Sequence, residues 1–369
     1  MRLIVAVLLT FLGACSPGDV EHAVEAVFLA LDIAAGADPS VYKSWTPEPS
    51  RTETAYEIEG RSYVADFYRP AKARGALVLA PGLHSEGRRE TRLVALATTL
   101  GRAGFAVLVP DLPNYRALRI GAEDPVGIAD GVRHVAARPE GHGKIGIVGI
   151  SYASGPALLA ALQPDIAERI AFVFTLGGYF DVEAVLTYIV TARYREAEGA
   201  PWRVGSPNIF GAWMFVRANA ARLADPSDRA LVAEIAARRL RDARADVLGL
   251  SAALGADGAA LMQLLSEPDP DRIPERIEAL PAEIRSDFAA LTLKGRDMSG
   301  LRARAILLHG RDDAIVPYTE SLALARALGP ERAELHLAHR LAHVAFEPES
   351  FRDGLEVWRA CLSFLRFRS

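Results

Sequence analysis

Short, uniformly apolar segments recur along the chain and are separated by segments with helical periodicity. The apolar segments span about 76–80, 106–110, 145–150, 171–176 and 303–308, and the helical ones about 88–103, 125–137, 153–162, 318–327 and 351–365. Strands that are apolar on both faces are typical of a parallel sheet covered by helices on each side. The order of the segments therefore predicts an α/β fold with a mostly parallel central sheet.

Weaker patterns predict the rest of the architecture. Residues 54–58 and 62–68 flank the turn Glu59-Gly60-Arg61, which is typical of an antiparallel hairpin, and residues 333–337 are the predicted last strand. Between Asp181 and Met298 the chain shows helical periodicity and no convincing strand. We therefore predict a core of residues 52–181 and 300–369, interrupted by a helical cap at 182–299.

The first residues have the features of an export signal. Arg2 is followed by an apolar run from Leu3 to Leu12, too short for a membrane-spanning helix, which needs about 20 residues. The sequence Leu12-Gly13-Ala14-Cys15 resembles the lipobox of bacterial lipoproteins, in which the signal (here residues 1–14) is removed and the cysteine is lipidated. The resemblance implies a protein of the bacterial cell envelope, anchored to a membrane on the periplasmic face or at the outer membrane. An ordinary cleaved signal, with release of the protein, is the alternative.

Residues 15–51 are predicted to connect this lipid anchor to the core. A helix from Asp19 is followed by a linker at 38–50, and five apolar side chains are expected on one face of the helix: Val20, Val24, Val27, Phe28 and Leu31. Cys361, the other cysteine, lies among apolar residues and is interpreted as a buried side chain.

Composition and spacing argue against several binding functions. Charged residues make up 24% of the chain and the net charge is −4, so there is no basic surface typical of nucleic-acid binding. Residues 141–146 match G-x-G-x-x-G but precede a strand instead of following one, so no dinucleotide cofactor is predicted. His339 and His343 have the spacing of zinc ligands on a helix, but the segment lacks helical character and no metal is predicted.

One serine lies where a predicted buried strand ends and a helix begins, in the segment Gly149-Ile150-Ser151-Tyr152-Ala153. A serine on such a tight turn has strained backbone angles and projects from the edge of the sheet, so small residues are needed two positions before and after it. This context predicts Ser151 as a nucleophile.

An oxyanion formed at Ser151 needs two converging N–H groups. We predict that Tyr152 provides one and Leu83, in Ala80-Pro81-Gly82-Leu83-His84 after another strand, provides the second; His84 is either a substrate contact or a loop residue.

An acid and a base are predicted on two later loops. The segment His309-Gly310-Arg311-Asp312-Asp313 follows the strand at 303–308, and its spacing favours Asp313 over Asp312 as the carboxylate that orients a histidine. His343 lies thirty residues after Asp313, in a loop-like segment before the last helix, and is the predicted base; His339 is the alternative.

The order Ser151, Asp313, His343, with each residue on a loop after a strand, resembles the α/β-hydrolase superfamily over about residues 52–181 and 300–367. The similarity is greatest to its esterase and dienelactone-hydrolase-like branches, although the nucleophile here is serine and not the cysteine of true dienelactone hydrolases. The resemblance implies an α/β-hydrolase fold and a serine hydrolase that cleaves a small-molecule carboxylic ester without a cofactor. A peptidase or acyltransferase of the same fold, or a non-catalytic lipid-anchored binding protein, is the alternative.

The predicted cap contains a group of large apolar residues. They either line an acyl pocket or form the cap's own core: Trp202, Phe210, Trp213, Met214 and Phe215.

Overall fold

The computed structural model describes residues 17–341, 343 and 350–368, so the predicted signal peptide and Cys15 lie outside the described residues. Eight strands form the central sheet: β1 (Ser50–Ile58), β2 (Arg61–Arg69), β3 (Gly75–Ala80), β4 (Phe105–Pro110), β5 (Ile145–Ile150), β6 (Ile170–Leu176), and, after two short strands described below, β9 (Arg304–Gly310) and β10 (Ala333–Ala338). Their order across the sheet is β1-β2-β4-β3-β5-β6-β9-β10. The first hairpin pairs antiparallel and β2 pairs antiparallel with β4, whereas all other neighbours are parallel.

Fifteen α-helices accompany the sheet in the described part of the chain. They are α1 (Pro17–Ala35), α2 (Val41–Trp45), α3 (Thr91–Arg102), α4 (Pro113–Arg116), α5 (Asp124–Ala136), α6 (Ser154–Ala161), α7 (Val182–Thr191), α8 (Ile209–Asn219), α9 (Pro226–Arg241), α10 (Leu248–Ala252), α11 (Ala256–Leu265), α12 (Ile273–Glu278), α13 (Ala282–Leu291), α14 (Thr319–Leu328) and α15 (Phe351–Leu365).

The sheet is covered on both faces. Helices α5, α6 and α14 bury apolar side chains such as Ile128, Leu158 and Leu324 on one face, and α1, α3 and α15 bury others, including Leu93 and Phe364, on the opposite face. The predicted class, an α/β fold with a mostly parallel sheet between helical layers, is therefore confirmed.

The segment from α7 to α13 packs around a third apolar cluster of its own, which includes Leu186, Val216 and Leu261. It is helical except for one antiparallel pair, β7 (Arg193–Tyr194) and β8 (Arg203–Val204). The sequence did not predict these strands, because two residues are too short to show an alternating pattern. We refer to the residues from α7 to α13 as the cap.

Helix α1 is present as predicted, but it buries a different face. Ala26 and Leu29 are fully buried against the sheet layer, whereas Val24 and Leu31 are exposed. The reason is a polar contact that apolar periodicity does not show: Asp32 is also fully buried, where it accepts hydrogen bonds from Thr99 Oγ1 at 2.6 Å and Lys43 Nζ at 2.7 Å.

The predicted linker at 38–50 contains the short helix α2, which Ser40 caps by accepting a hydrogen bond from the Lys43 N–H. Among the helices of the described residues, none is long and apolar enough to cross a membrane.

Candidate active site

Ser151 lies on a sharp turn between β5 and α6. Its φ angle is +54°, in the left-handed region that costs an ordinary residue about 1–2 kcal/mol. The turn is possible only because its neighbours are small: a Cβ on Gly149 would lie 2.8 Å from the Ala153 carbonyl oxygen and 2.9 Å from the Ser154 Cα. A strained serine with crowding on both sides matches the strand-to-helix turn that exposes a nucleophile.

The structure brings Ser151, His343 and Asp313 together. Ser151 Oγ is 2.6 Å from His343 Nε2, and His343 Nδ1 is 2.8 Å and 3.0 Å from the two carboxylate oxygens of Asp313. The two competing residues have other contacts. Asp312 is exposed and accepts a hydrogen bond from the Leu341 N–H, and His339 is exposed with its N–H donated to Asp353.

The carboxylate of Asp313 is buried and receives several donors. Its Oδ1 accepts hydrogen bonds from the backbone N–H groups of Ile315 and Val316, at 2.8 Å and 2.9 Å. Burial alone would raise the pKa of Asp313, but hydrogen bonds from His309 and His343 outweigh burial and hold the pKa well below its ordinary value. Asp313 is therefore ionised, as required of a group that orients an imidazole.

His309 is a contact of Asp313 that the sequence did not single out. It is fully buried at the end of β9, with Nε2 3.2 Å from Asp313 Oδ2 and 3.0 Å from the Val316 carbonyl oxygen. Its Nδ1 is 2.7 Å from Ser321 Oγ on α14. The only sequence signal was its place directly after an apolar strand.

Gly177, the first residue after β6, is a second neighbour that the sequence did not reveal. Its φ is +61°, and a Cβ there would lie 2.9 Å from the His343 carbonyl oxygen and 3.2 Å from Asp313 Oδ2. A side chain at this position would displace the acid or the histidine, so the close approach of the three residues depends on a glycine.

The two predicted oxyanion donors border the same space as Ser151. Leu83 and Tyr152 both line the cavity into which Ser151 projects, and a Cβ on Gly82 would lie 3.7 Å from the Ser151 Cβ. His84 also lines this cavity, and its Nδ1 accepts a hydrogen bond from the Glu86 N–H at 3.3 Å.

The side chain of Tyr152 is fixed by Asp124. Its hydroxyl donates to Asp124 Oδ2 at 2.6 Å, and the same carboxylate accepts hydrogen bonds from the Gly121 N–H and from Asn114. Burial raises the pKa of Asp124 to about 6, although these hydrogen bonds favour its ionised form. Tyr152, the residue after Ser151, is thus anchored by contacts that are distant in sequence.

The cavity at Ser151 has a volume of about 970 Å³ and reaches under the cap. Of the predicted cap aromatics and methionine, Phe210, Met214 and Phe215 line it. The two tryptophans have other partners: Trp202 donates its Nε1–H to Asp271, and the Trp213 ring packs against the cap's own cluster.

No cluster of three or more side chains suited to a metal ion occurs among the residues that the structure describes. Cys361 is buried, and burial raises the pKa of its thiol to about 12, so that it remains neutral. The glycine-rich segment at 141–146 leads into β5, as expected from the sequence, and not into a helix.

No protein-family model and no curated protein matches the chain in sequence. Solved structures do match its fold. The α/β-hydrolase GrgF from Penicillium sp. sh18 matches with a TM-score of 0.51 at 16% identity, over 86% of this chain and 99% of its own. A dienelactone hydrolase from Anabaena variabilis (TM-score 0.45, 15% identity, 87% and 99% of the two chains) and Est1E from Butyrivibrio proteoclasticus (0.44, 12%, 86% and 98%) are also similar. The chain has the α/β-hydrolase fold, as the resemblance in its sequence implied.

Proposed function

We propose that the protein is a serine hydrolase that cleaves a carboxylic ester through an acyl-enzyme on Ser151. The observation that carries the proposal is the chain of contacts from Ser151 Oγ to His343 Nε2 and from His343 Nδ1 to Asp313, with the serine held at a positive φ. A binding protein has no need for a strained serine within hydrogen-bond distance of a histidine that faces a buried carboxylate.

In the proposed reaction Ser151 Oγ attacks the ester carbonyl carbon while its proton passes to His343 Nε2. The carbonyl oxygen becomes an oxyanion, stabilised by the N–H groups of Leu83 and Tyr152. The intermediate collapses, the C–O bond to the alcohol breaks, and His343 returns the proton to the departing oxygen. Water, deprotonated by His343, then attacks the acyl-enzyme, so that the acid is released and Ser151 is restored. Asp313 accepts the Nδ1–H of His343 throughout and stabilises the imidazolium.

A peptidase and an acyltransferase use the same residues, and a fold alone does not choose among them. We favour an ester because the cavity beside Ser151 is lined mainly by apolar side chains, whereas a peptide needs donors and acceptors for its backbone.

Labelling with a fluorophosphonate tests the proposal, since the probe reacts only with an activated serine. We expect stoichiometric labelling on the peptide that contains Ser151, and no labelling of Ser151→Ala. A wild-type protein that remains unlabelled would support the alternative of a non-catalytic binding protein.

We further propose that the protein is held to a membrane of the bacterial cell envelope by a lipid on Cys15. The support is the lipobox-like sequence before Cys15 and the short apolar run preceding it. Several acyl chains, each contributing about 0.8 kcal/mol per buried CH₂, anchor a protein stably. In detergent phase partitioning the wild type should enter the detergent phase and Cys15→Ser should stay aqueous; if both stay aqueous, Cys15 carries no lipid.

A further inference from the structure

The cavity at Ser151 extends well beyond the space that a small acyl group would need. Its volume of about 970 Å³ lies at the upper end of the range of about 300–1,000 Å³ for sites that bind drug-sized ligands. We propose that the substrate is an ester of a long-chain aliphatic acid, whose hydrocarbon chain lies along this cavity. This inference rests on the proposed function, the hydrolysis of an ester at Ser151.

The lining of the cavity comes from two apolar regions on different parts of the fold. One, the sheet-side arm, is formed by residues of α3, β6 and α15: Leu93, Leu96, Leu100, Phe174 and Phe364. The other, the cap arm, is formed by residues of α7, α8 and α13: Val185, Ile189, Met214, Phe215 and Phe288. Ser151 and His343 line the same cavity, so both arms are continuous with the reacting atoms.

Most of the polar groups along the arms are already paired within the protein. Thr99 donates its hydroxyl to the buried Asp32 at 2.6 Å, and the Tyr179 hydroxyl donates to the Leu291 carbonyl oxygen at 3.3 Å. The thiol of Cys361 is neutral. A polar substituent on the substrate would therefore lose its hydrogen bonds to water without gaining equivalent ones, which costs roughly 1–3 kcal/mol per group.

Glu90 and Arg92 are the residues of the lining that carry a formal charge, and they pair with each other. Arg92 is exposed, and its Nε lies 3.0 Å from Glu90 Oε1. The occupant must thus be apolar along most of its length. A short or compact acyl group would leave one or both arms unfilled, whereas an extended chain exchanges water for aliphatic contacts throughout.

The dependence of kcat/KM on chain length tests this directly. For p-nitrophenyl esters from acetate to laurate we expect kcat/KM to rise by about threefold to fourfold for each added CH₂ over the first several carbons, which corresponds to about 0.8 kcal/mol per buried CH₂. A profile that is flat or falls beyond butyrate overturns the long-chain proposal while leaving the esterase proposal intact.

Substitutions that fill one arm separate the cavity from general effects on the enzyme. Leu96→Trp narrows the sheet-side arm and Met214→Trp narrows the cap arm. Narrowing the arm that holds the acyl chain should lower the ratio of kcat/KM for laurate to kcat/KM for acetate by at least tenfold. The matched control is Leu248→Trp, at an exposed leucine of the cap that does not line the cavity, which should keep the wild-type ratio. If neither variant lowers the ratio relative to this control, the arms do not hold the chain.

Binding gives a measurement that does not depend on turnover. Folded Ser151→Ala should bind dodecanoate in isothermal titration calorimetry at least tenfold more tightly than hexanoate, and narrowing the occupied arm should abolish this difference. Equal affinity for the two acids contradicts the proposal even if the protein proves to be no esterase. Conversely, if the wild type is not labelled by the fluorophosphonate at Ser151 but Ser151→Ala binds dodecanoate tightly, the proposed hydrolase function is wrong and the binding site for a long aliphatic chain still stands.

Discussion

Asp313 and Asp312 are adjacent in sequence but have opposite environments. Asp313 is buried, faces His343, and accepts N–H groups from the loop that follows it, whereas Asp312 is exposed and supports the backbone at Leu341. The difference arises because successive side chains on the loop after β9 point in different directions, one towards the edge of the sheet and one towards solvent.

This difference predicts unequal effects of removing the two charges. Asp313→Asn leaves His343 in place but favours the wrong tautomer, and we expect kcat/KM on an activated ester to fall by roughly 10⁴. Asp312→Asn retains an acceptor oxygen for the Leu341 N–H and should cost less than tenfold. Steady-state kinetics of both variants, with folding checked by circular dichroism, measures the contrast; a severe effect of Asp312→Asn instead would move the assignment of the acid.

Gly177 provides a test of how tightly the site is packed. Gly177→Ala adds a Cβ within 3.2 Å of atoms of both His343 and Asp313, and a displacement of about 1 Å in an active site can cost 10²-fold in rate. Gly199→Ala is the matched control, since Gly199 also has a positive φ, +74°, but nothing lies within 4 Å of its Cβ position. Both variants should lose some stability from the positive φ, and Gly177→Ala should lose more because only its Cβ meets other atoms; we expect a loss of kcat of ten- to a hundredfold only in folded Gly177→Ala. Equal kcat values for the two would show that His343 and Asp313 tolerate the shift.

At the scale of elements, the point where the core continues into the cap is held by Glu320 on α14. This buried carboxylate accepts hydrogen bonds from the N–H groups of Phe180 and Asp181, at 3.0 Å and 2.7 Å, just before α7 begins. Burial nevertheless raises the pKa of Glu320 from 4.5 to about 7, because desolvation of the charge outweighs the two donors.

This raised pKa makes the stability of the folded protein depend on pH. Between pH 4.5 and 7 the folded state binds the Glu320 proton more tightly than the unfolded state does, so the contribution of Glu320 to the free energy of unfolding falls as the pH rises through this window. Glu320→Gln cannot ionise. The free energy of unfolding of the variant minus that of the wild type should therefore increase from pH 5 to pH 8, by about 1.4 kcal/mol for each unit of pKa shift.

Urea denaturation at several pH values measures this difference, with the exposed Glu331→Gln as control. A difference between variant and wild type that stays constant across the range would contradict the assignment of the pH dependence to Glu320.

How well elements were predicted depended on their length and their surroundings. The buried strands and the helices between them were predicted to within a few residues, because apolar runs of five or more residues leave a strong pattern. The apolar face that the sequence pattern gives α1 is not the face that the helix buries, because the polar residue Asp32 lies in the interface together with Ala26 and Leu29. The sequence around Asp32 does not show that Thr99 and Lys43 donate hydrogen bonds to its carboxylate, and these bonds make the burial of Asp32 possible.

At the scale of the whole molecule, the sequence indicated which loops carry Ser151, Asp313 and His343, since a parallel sheet brings the loops after its strands to one edge. It did not indicate the residues that hold them in position. Gly177, His309 and Asp124 reach the site through tertiary contacts and show no local pattern. The two-armed cavity was equally hidden, because it forms only where α3, α15 and the cap meet around the site.

The hydrolytic rate of Ser151→Ala measures directly whether Ser151 attacks the ester. If Ser151 is the nucleophile, kcat of Ser151→Ala on the best p-nitrophenyl ester should fall by about 10⁶ relative to the wild type. Ser266→Ala, at an exposed serine of the cap, should retain the wild-type rate. A folded Ser151→Ala protein that hydrolyses the ester at the wild-type rate would contradict the role of Ser151, and with it the mechanism derived from its contacts with His343 and Asp313.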